Sequence, residues 1–471
     1  MVFPTLDFLI FYLCVWPVSW LLAASRRHQL HKIAIIVASY VFYAAWSIKF
    51  TALLFASVCL NWAAGRLVGA SRDPRRRKLV VSLGVALNLV LLGYFKYWNF
   101  FIENLDEALR TVGLQAEMPY WEIILPVGIS FFTFQGISYI VDLHRGDLDR
   151  PRPLIDVMLF ISFFPHLVAG PIVRAAAFLP QLEKPPNPGR VFVSLGVCLI
   201  GWGVFKKAIV ANWLSVDLVD PVFRTPQEYG GSDVLLAIYG YAIQIYCDFS
   251  AYSDIAIGVA ALLGYRFQRN FNQPYRAASL QDFWRRWHIS LSNWLRDYLY
   301  IPLGGSRLGK TRTYVNLMLT MLIGGLWHGA AWHYLAWGAL HGGGLAVERA
   351  MGLGRTAPKA AWIRALRIVL VFHFVCFCWI FFRAKDMSVA FDILQRLTVW
   401  AAEPQLVTTF MVGLLLLGLL MQGTPRNLLP WLDRAYHAMS PWAVGVLGGL
   451  LLLMIEVFGG DGSAPFIYFQ F

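Results

Sequence analysis

The chain has 471 residues, of which 58% are hydrophobic and only 14% charged, with a formal net charge of +13. A water-soluble domain carries about a quarter charged residues, so water is excluded as the main solvent and an all-α, multi-pass membrane protein is predicted. The positive balance reads as membrane orientation bias plus contact with anionic lipid headgroups, and calls for no nucleic acid.

Apolar runs long enough to cross about 30 Å of hydrocarbon, roughly 20 residues each, recur along the chain. They cover 7–24, 31–48, 51–70, 79–100, 122–141, 154–173, 191–213, 232–263, 313–347, 364–383, 405–422 and 441–459. The first has no basic residue before it, carries Asp7 and lacks a small-residue cleavage site, so it reads as a retained span and not as a signal peptide. Six cysteines lie inside apolar runs without C-x-x-C spacing and read as packing residues.

Basic residues collect at Arg26, Arg27 and Lys32 and again from Arg72 to Lys78, while the stretches 103–120 and 214–233 are net acidic. Because short basic loops stay cytoplasmic, this alternation predicts both chain termini outside. Residues 154–173 break the pattern. They have basic loops on both sides and hold Pro165, Gly170 and Pro171, which predicts a broken or re-entrant element, tolerated only beside protein or a wet cavity.

Within 232–263, Asp248, Ser250, Tyr252, Ser253 and Asp254 form a polar island at a depth where each ionisable group costs about 3 kcal/mol or more unless satisfied. Such groups serve either function or hydrogen bonding within the helix bundle. The next block, 265–312, carries nine Arg or Lys against two Asp. Trp284, Trp287, His288, Leu291, Leu295 and Tyr298 follow helical spacing there, with Arg285 and Arg296 on the other face, which predicts a cytoplasmic amphipathic helix. It is either an anchor on anionic lipid or a basic mouth for an anionic cosubstrate. "GGSRLGKT" at Gly304–Thr311 matches the phosphate-loop pattern, but no strand pattern precedes it, so the match is read as coincidence.

The run 313–347 is flanked by basic residues, so it either crosses twice or dips in and returns. It contains His328, His333 and His341 in an otherwise apolar setting. Taken as one helix, His328 and His333 point about 140° apart and His333 and His341 lie about 12 Å apart, so the three cannot share a metal. There is no G-x-S-x-G elbow and no H-E-x-x-H pair.

Six long stretches together resemble one family. "LPVGISFFTFQGISYIVDLHRG" (125–146), "SFFPHLVAGPIVRAAAFLPQL" (162–182), "IYCDFSAYSDIAIGVAALLGYRFQRNFNQPYR" (245–276), "FWRRWHISLSNWLRDYLYIPLGG" (283–305), "GGLWHGAAWHYLAWGALHG" (324–342) and "PFIYFQF" (465–471) are similar to the membrane-bound O-acyltransferase (MBOAT) family. The likeness is to its bacterial branch, more to the alginate O-acetylation (AlgI) type than to the D-alanyl transfer (DltB) type. Cys247 and Ala251 stand where Phe and Gly are expected, and His333 follows Trp332 where many relatives differ.

The resemblance implies a single transmembrane domain over 1–471, a ring of about ten to twelve helices with re-entrant and amphipathic elements around a central tunnel. It implies acetyl transfer from cytoplasmic acetyl-CoA across a bacterial inner membrane, for O-acetylation of an exopolysaccharide or cell-wall glycan. His328 of the "WHG" element would be the general base, and His288 the second family histidine. Trp284, Arg285, Arg296, Asp248 and Ser250 are the candidates for donor or substrate contacts, with His333 and His341 structural. No bound cofactor or metal is expected, and a separate extracytoplasmic SGNH-type acetyltransferase is implied as partner. The alternatives are acyl or D-alanyl transfer from a carrier protein, and a transporter or flippase without enzymatic activity.

Overall fold

The computed structural model describes residues 5–25, 27–114, 118–187, 193–354, 360–400, 403–424, 431, 434–435 and 438–458. Glu117, Arg426 and the terminal "PFIYFQF" motif lie outside the described residues. Every regular element among those described is helical. Among the described residues, six helices are long and apolar enough to cross a membrane: Leu6–Ala24 (α1), Ile48–Ala70 (α3), Pro74–Thr111 (α4), Val193–Arg224 (α7), Gly231–Leu262 (α8) and Ala361–Arg383 (α13). Chain contacts divide the protein into two compact units, one from residues 10–191 and 263–267, the other from 2–9, 192–262 and 268–471.

In the first unit, α1 is followed by α2 (His28–Ala44), α3, α4, α5 (Ile129–Arg145) and α6 (Leu154–Ser162). Local chemistry sets the boundaries. Ser47 and Asp73 cap α3 and α4 by accepting from the N–H groups of Phe50 and Arg75, and Pro74 supplies the fixed φ that suits a first helical residue. α6 ends at Phe163, a single turn follows at Phe164–Leu167, and the chain continues without regular structure to Arg174. Pro165 and Pro171 lack the N–H that would carry the helix onward.

The start and end of this excursion meet. Arg152 Nη1 donates to Glu183 Oε1 at 2.6 Å, and the His28 ring is 2.9 Å from the Leu182 carbonyl. Residues 152 and 183 therefore lie together beside the start of α2, so the segment returns to where it began.

The second unit contains α7 and α8, the short helices α9 (Leu280–Trp284) and α10 (Ile289–Leu295), then α11 (Lys310–His328), α12 (Trp332–Ala350), α13, α14 (Met387–Arg396), α15 (Thr409–Met421) and α16 (Pro441–Phe458). The helix α7 is π-helical over Lys206–Ala211 and Ser215–Val219. The apolar run 313–347 is a helical hairpin. α11 stops at His328 because Gly329 and Ala331 are extended, and α12 begins one residue later. His328 and His333 therefore sit on different helices, so the angle between them expected for one helix does not apply. Close approach of the two helices depends on glycine: a Cβ on Gly338 would lie 2.5 Å from the Met321 carbonyl oxygen and one on Gly325 2.3 Å from that of Tyr334.

Gly338→Val should therefore destabilise the hairpin by on the order of 1–3 kcal/mol, the usual cost of forcing bulk into a packed core. Gly343→Ala, where a Cβ meets nothing within 4 Å, should leave stability unchanged or raise it slightly, since alanine favours a helix interior over glycine. Thermal unfolding of the purified protein in one detergent compares them; equal melting points would show that the contact is not structural.

Candidate active site

The predicted amphipathic helix over Trp284–Tyr298 is not one helix. α9 ends at Trp284, and His288, with φ 40° and ψ 56°, takes a left-handed conformation that a continuous helix cannot hold. The preceding loop stabilises the break. Asn270 accepts the Ile289 N–H on its backbone carbonyl at 2.8 Å and the Ser290 N–H on its side-chain Oδ1 at 3.2 Å. Two of the donors that the start of α10 leaves without helical partners are satisfied in this way. The apolar spacing survives the break, since Trp287, Leu291 and Leu295 are all buried.

The same amide fixes the state of His288. A backbone N–H can only donate, so the bond from Ser290 marks the Asn270 oxygen as an acceptor; the Ser290 hydroxyl donates to it at 2.8 Å, and the amide nitrogen donates to Ser253 Oγ at 3.0 Å. The nitrogen of His288 that lies 3.2 Å from that oxygen, Nδ1, must then carry the proton. Burial lowers the pKa of His288, outside the spanning helices, to about 3, so the ring is neutral at pH 7. Its Nε2 therefore presents a lone pair, and among the described residues it has no hydrogen-bond partner.

His328 ends α11 inside an aromatic box. Its ring centroid lies 4.9 Å from Trp327, 5.2 Å from Trp337 and 4.9 Å from Phe382. Trp327 is also 5.9 Å from His288, so one indole touches both imidazoles. His333 is anchored to the Phe381 carbonyl at 2.9 Å through Nδ1. His341 is wholly buried, 4.9 Å from Trp337 and 5.1 Å from Trp284.

The other expected site residues fall into distinct groups. Trp284 joins the cluster around His341 and Trp337. Arg285 and Arg296 are exposed, and Arg296 grips Asp297 through two bonds of 2.6 and 3.0 Å. Asp248 pairs with Lys207 at 2.9 Å, and Ser250 accepts from Lys206 at 2.7 Å, so both engage α7 and not the histidines. The face of α8 that meets His288 carries Phe249, 4.6 Å away, and, four residues on, Ser253 through Asn270. Asn270 itself was not anticipated: it lies in a loop with no periodicity, and only its place within "RNFNQPY" marked it. The loop at Gly304–Gly309 follows π-helical and turn structure, not a strand, which removes the context a phosphate loop needs.

Residues 147–387 match the model of the MBOAT, membrane-bound O-acyltransferase family. The chain is 43% identical over 399 residues to the "Probable alginate O-acetylase AlgI" of Pseudomonas aeruginosa, covering 84% of this chain and 75% of that protein. It is 33% identical to the peptidoglycan O-acetyltransferase of Helicobacter pylori, over 79% of this chain and 75% of the relative. The teichoic acid D-alanyltransferase of Bacillus subtilis is more distant, 29% identical over 58% of this chain and 72% of the relative. The matched region contains α8, His288 and His328. With its apolar helices and these relatives, the chain belongs to the membrane-bound O-acyltransferase family and is a multi-pass membrane O-acyltransferase.

Proposed function

We propose that this enzyme takes acetyl from cytoplasmic acetyl-CoA and passes it outward for O-acetylation of an exopolysaccharide or cell-wall glycan. The names of the alginate and peptidoglycan relatives support the acetyl group and the glycan pathway. The observation that carries the chemistry is the pair of buried imidazoles, His288 and His328, on one indole. An extracytoplasmic SGNH-type acetyltransferase would complete the pathway. The chain resides in the bacterial inner membrane in this reading, its basic loops cytoplasmic and both termini outside, and it requires no bound cofactor.

The reaction needs little machinery. The acceptor hydroxyl oxygen attacks the thioester carbonyl, His328 takes its proton, the C–S bond breaks, and the proton passes to the departing CoA thiolate. A thiol with a pKa near 8.5 leaves without a strong acid, and a neutral imidazole is the side chain suited to the proton transfer. His288 offers a second lone pair at Nε2, which accepts from a different hydroxyl of the acceptor and so orients it for attack. The aromatic box around His328 excludes water that would otherwise hydrolyse the thioester.

His328→Ala should lower kcat by about 10²–10⁴ while the protein remains folded and inserted, the usual loss for a missing base. His288→Ala should lower it in the same direction, and Asn270→Leu, which frees the tautomer of His288, should do so by a smaller factor. Acetyl transfer by the purified variants reads all three. Near-normal turnover in His328→Ala, with loss in His333→Ala, would move the base to the other histidine.

The two arginines should now behave differently. Arg296 is already held by Asp297, so Arg285 is the better candidate for the phosphates of the donor. Arg285→Lys should raise the KM for acetyl-CoA several-fold, because a bidentate phosphate contact does not survive that exchange, and Arg296→Lys should change it little. An unchanged KM in Arg285→Lys would return this block to the role of a lipid anchor.

A further inference from the structure

The first unit contains a cavity of about 580 Å³ that the acyl-transfer reading does not use. It is framed by the start of α2, the α5–α6 loop and the end of the returning segment, with His28, Lys32, Arg150, Arg152, Glu183 and Lys184 in its wall. This size is typical of a site for a small ligand.

Its charges are arranged at two depths. Lys32 and Arg152 are almost wholly buried, at 4% and 5% exposure. Lys32 is held by Asp156, also in the wall, at 2.6 Å; Arg152 is held by Glu183 at 2.6 Å and by Asp149 at 3.3 Å. Arg150 and Lys184 are exposed at the rim. Lys32, Arg150, Arg152 and Lys184 stand against the lining carboxylates Asp156 and Glu183 and against Asp149, which lies 3.8 Å from Arg150 and 3.3 Å from Arg152, so the site retains an excess of one positive charge. Two buried polar atoms also lack partners among the described residues: Arg152 Nε, a donor, and His28 Nδ1. The other nitrogen of His28 faces the Leu182 carbonyl and donates to it, so in the imidazole form Nδ1 is an acceptor. The site thus offers cations and a donor for an anion, and beside them an acceptor for a hydroxyl.

We propose that this cavity binds the phosphoglycerol headgroup of an anionic phospholipid, its phosphate on the Arg150, Arg152 and Lys184 side and a glycerol hydroxyl on His28. Three stretches that carry basic residues, 27–32, 145–152 and 184, converge here, and basic pockets between helices on the cytoplasmic side are recognised sites for anionic headgroups. Phosphatidylethanolamine lacks the hydroxyl and carries an ammonium that the excess positive charge repels. Bound lipid would tie the returning 154–183 segment to α2.

The test uses the full chain. Wild-type protein in mixed phosphatidylglycerol, phosphatidylethanolamine and phosphatidylcholine nanodiscs is released in native mass spectrometry and its retained lipid identified. Phosphatidylglycerol should be retained about tenfold over the other two, a preference worth about 1.4 kcal/mol. The double variant R150E/K184E should lose that preference without a change in melting point, because both side chains are exposed; R150Q/K184Q serves if charge reversal prevents insertion. Retention of phosphatidylglycerol unaltered in these variants, or no preference in the wild type, would overturn the proposal. If inorganic phosphate alone, added in lipid-free detergent, stabilises the wild type as much as phosphatidylglycerol does, the ligand is a soluble phosphate and the lipid assignment falls. Acetyl-transfer activity is not the readout, so failure here leaves the catalytic reading untouched.

Discussion

Polar groups carried into hydrocarbon by α8 must find partners within the protein, because there is no water at that depth to accept or donate a hydrogen bond. The helix meets this requirement face by face. Gln244 donates to Ser215 at 2.8 Å; Asp248 pairs with Lys207; Ser250 and Asp254, four residues apart, share Lys206; Ser253 receives Asn270. At its start Asp233 accepts from the N–H groups of Gln405 and Leu406. Removing Lys206 would leave the Asp254 carboxylate and the Ser250 hydroxyl without their shared partner, so these pairs constrain how α7 and α8 can pack. The π-helical turn begins at Lys206, where two consecutive lysines both reach α8. Such widened turns often mark functional positions.

From this fixed helix the reactive geometry extends outward in short steps. Ser253 holds Asn270, and Asn270 holds the backbone at residues 289 and 290 together with the His288 ring. A residue in the left-handed region costs of order 1 kcal/mol or more, and persists only where its surroundings determine it. Here they do, and the strain coincides with the imidazole whose Nε2 lacks a hydrogen-bond partner among the described residues. The α11–α12 hairpin supplies the second imidazole at its tip, and glycine contacts bring the two helices together. Stability and site geometry thus rest on the same partners.

Much of this was legible in the sequence because the rules involved are local. Long apolar runs mark candidate spans, and Pro165, Gly170 and Pro171 marked a segment whose helix is broken. Flanking basic residues showed that 313–347 turns back. The break at His288 was not legible, since Trp284, Trp287, Leu291 and Leu295 keep helical spacing on both sides of it and periodicity carries no information on φ. Asn270 was hidden for a related reason: its role is set by contacts from residues seventeen and more positions away, not by its neighbours. Asp248 and Ser250 were correctly singled out as costly groups, but their lysine partners lie some forty residues earlier, beyond the reach of spacing arguments. The histidines were visible as chemistry out of place; which of them stand together required the fold.

The central claim is that acyl transfer occurs where His288 and His328 meet Trp327. A structure of the protein with a thioether analogue of acetyl-CoA, unable to transfer its acyl group, tests it most directly. The acyl carbonyl carbon should lie beside Trp327, with room for an acceptor oxygen about 3–3.5 Å from it and within hydrogen-bond reach of the His328 ring. An acyl group lodged away from both imidazoles, with intact aromatic packing between it and them, would contradict it.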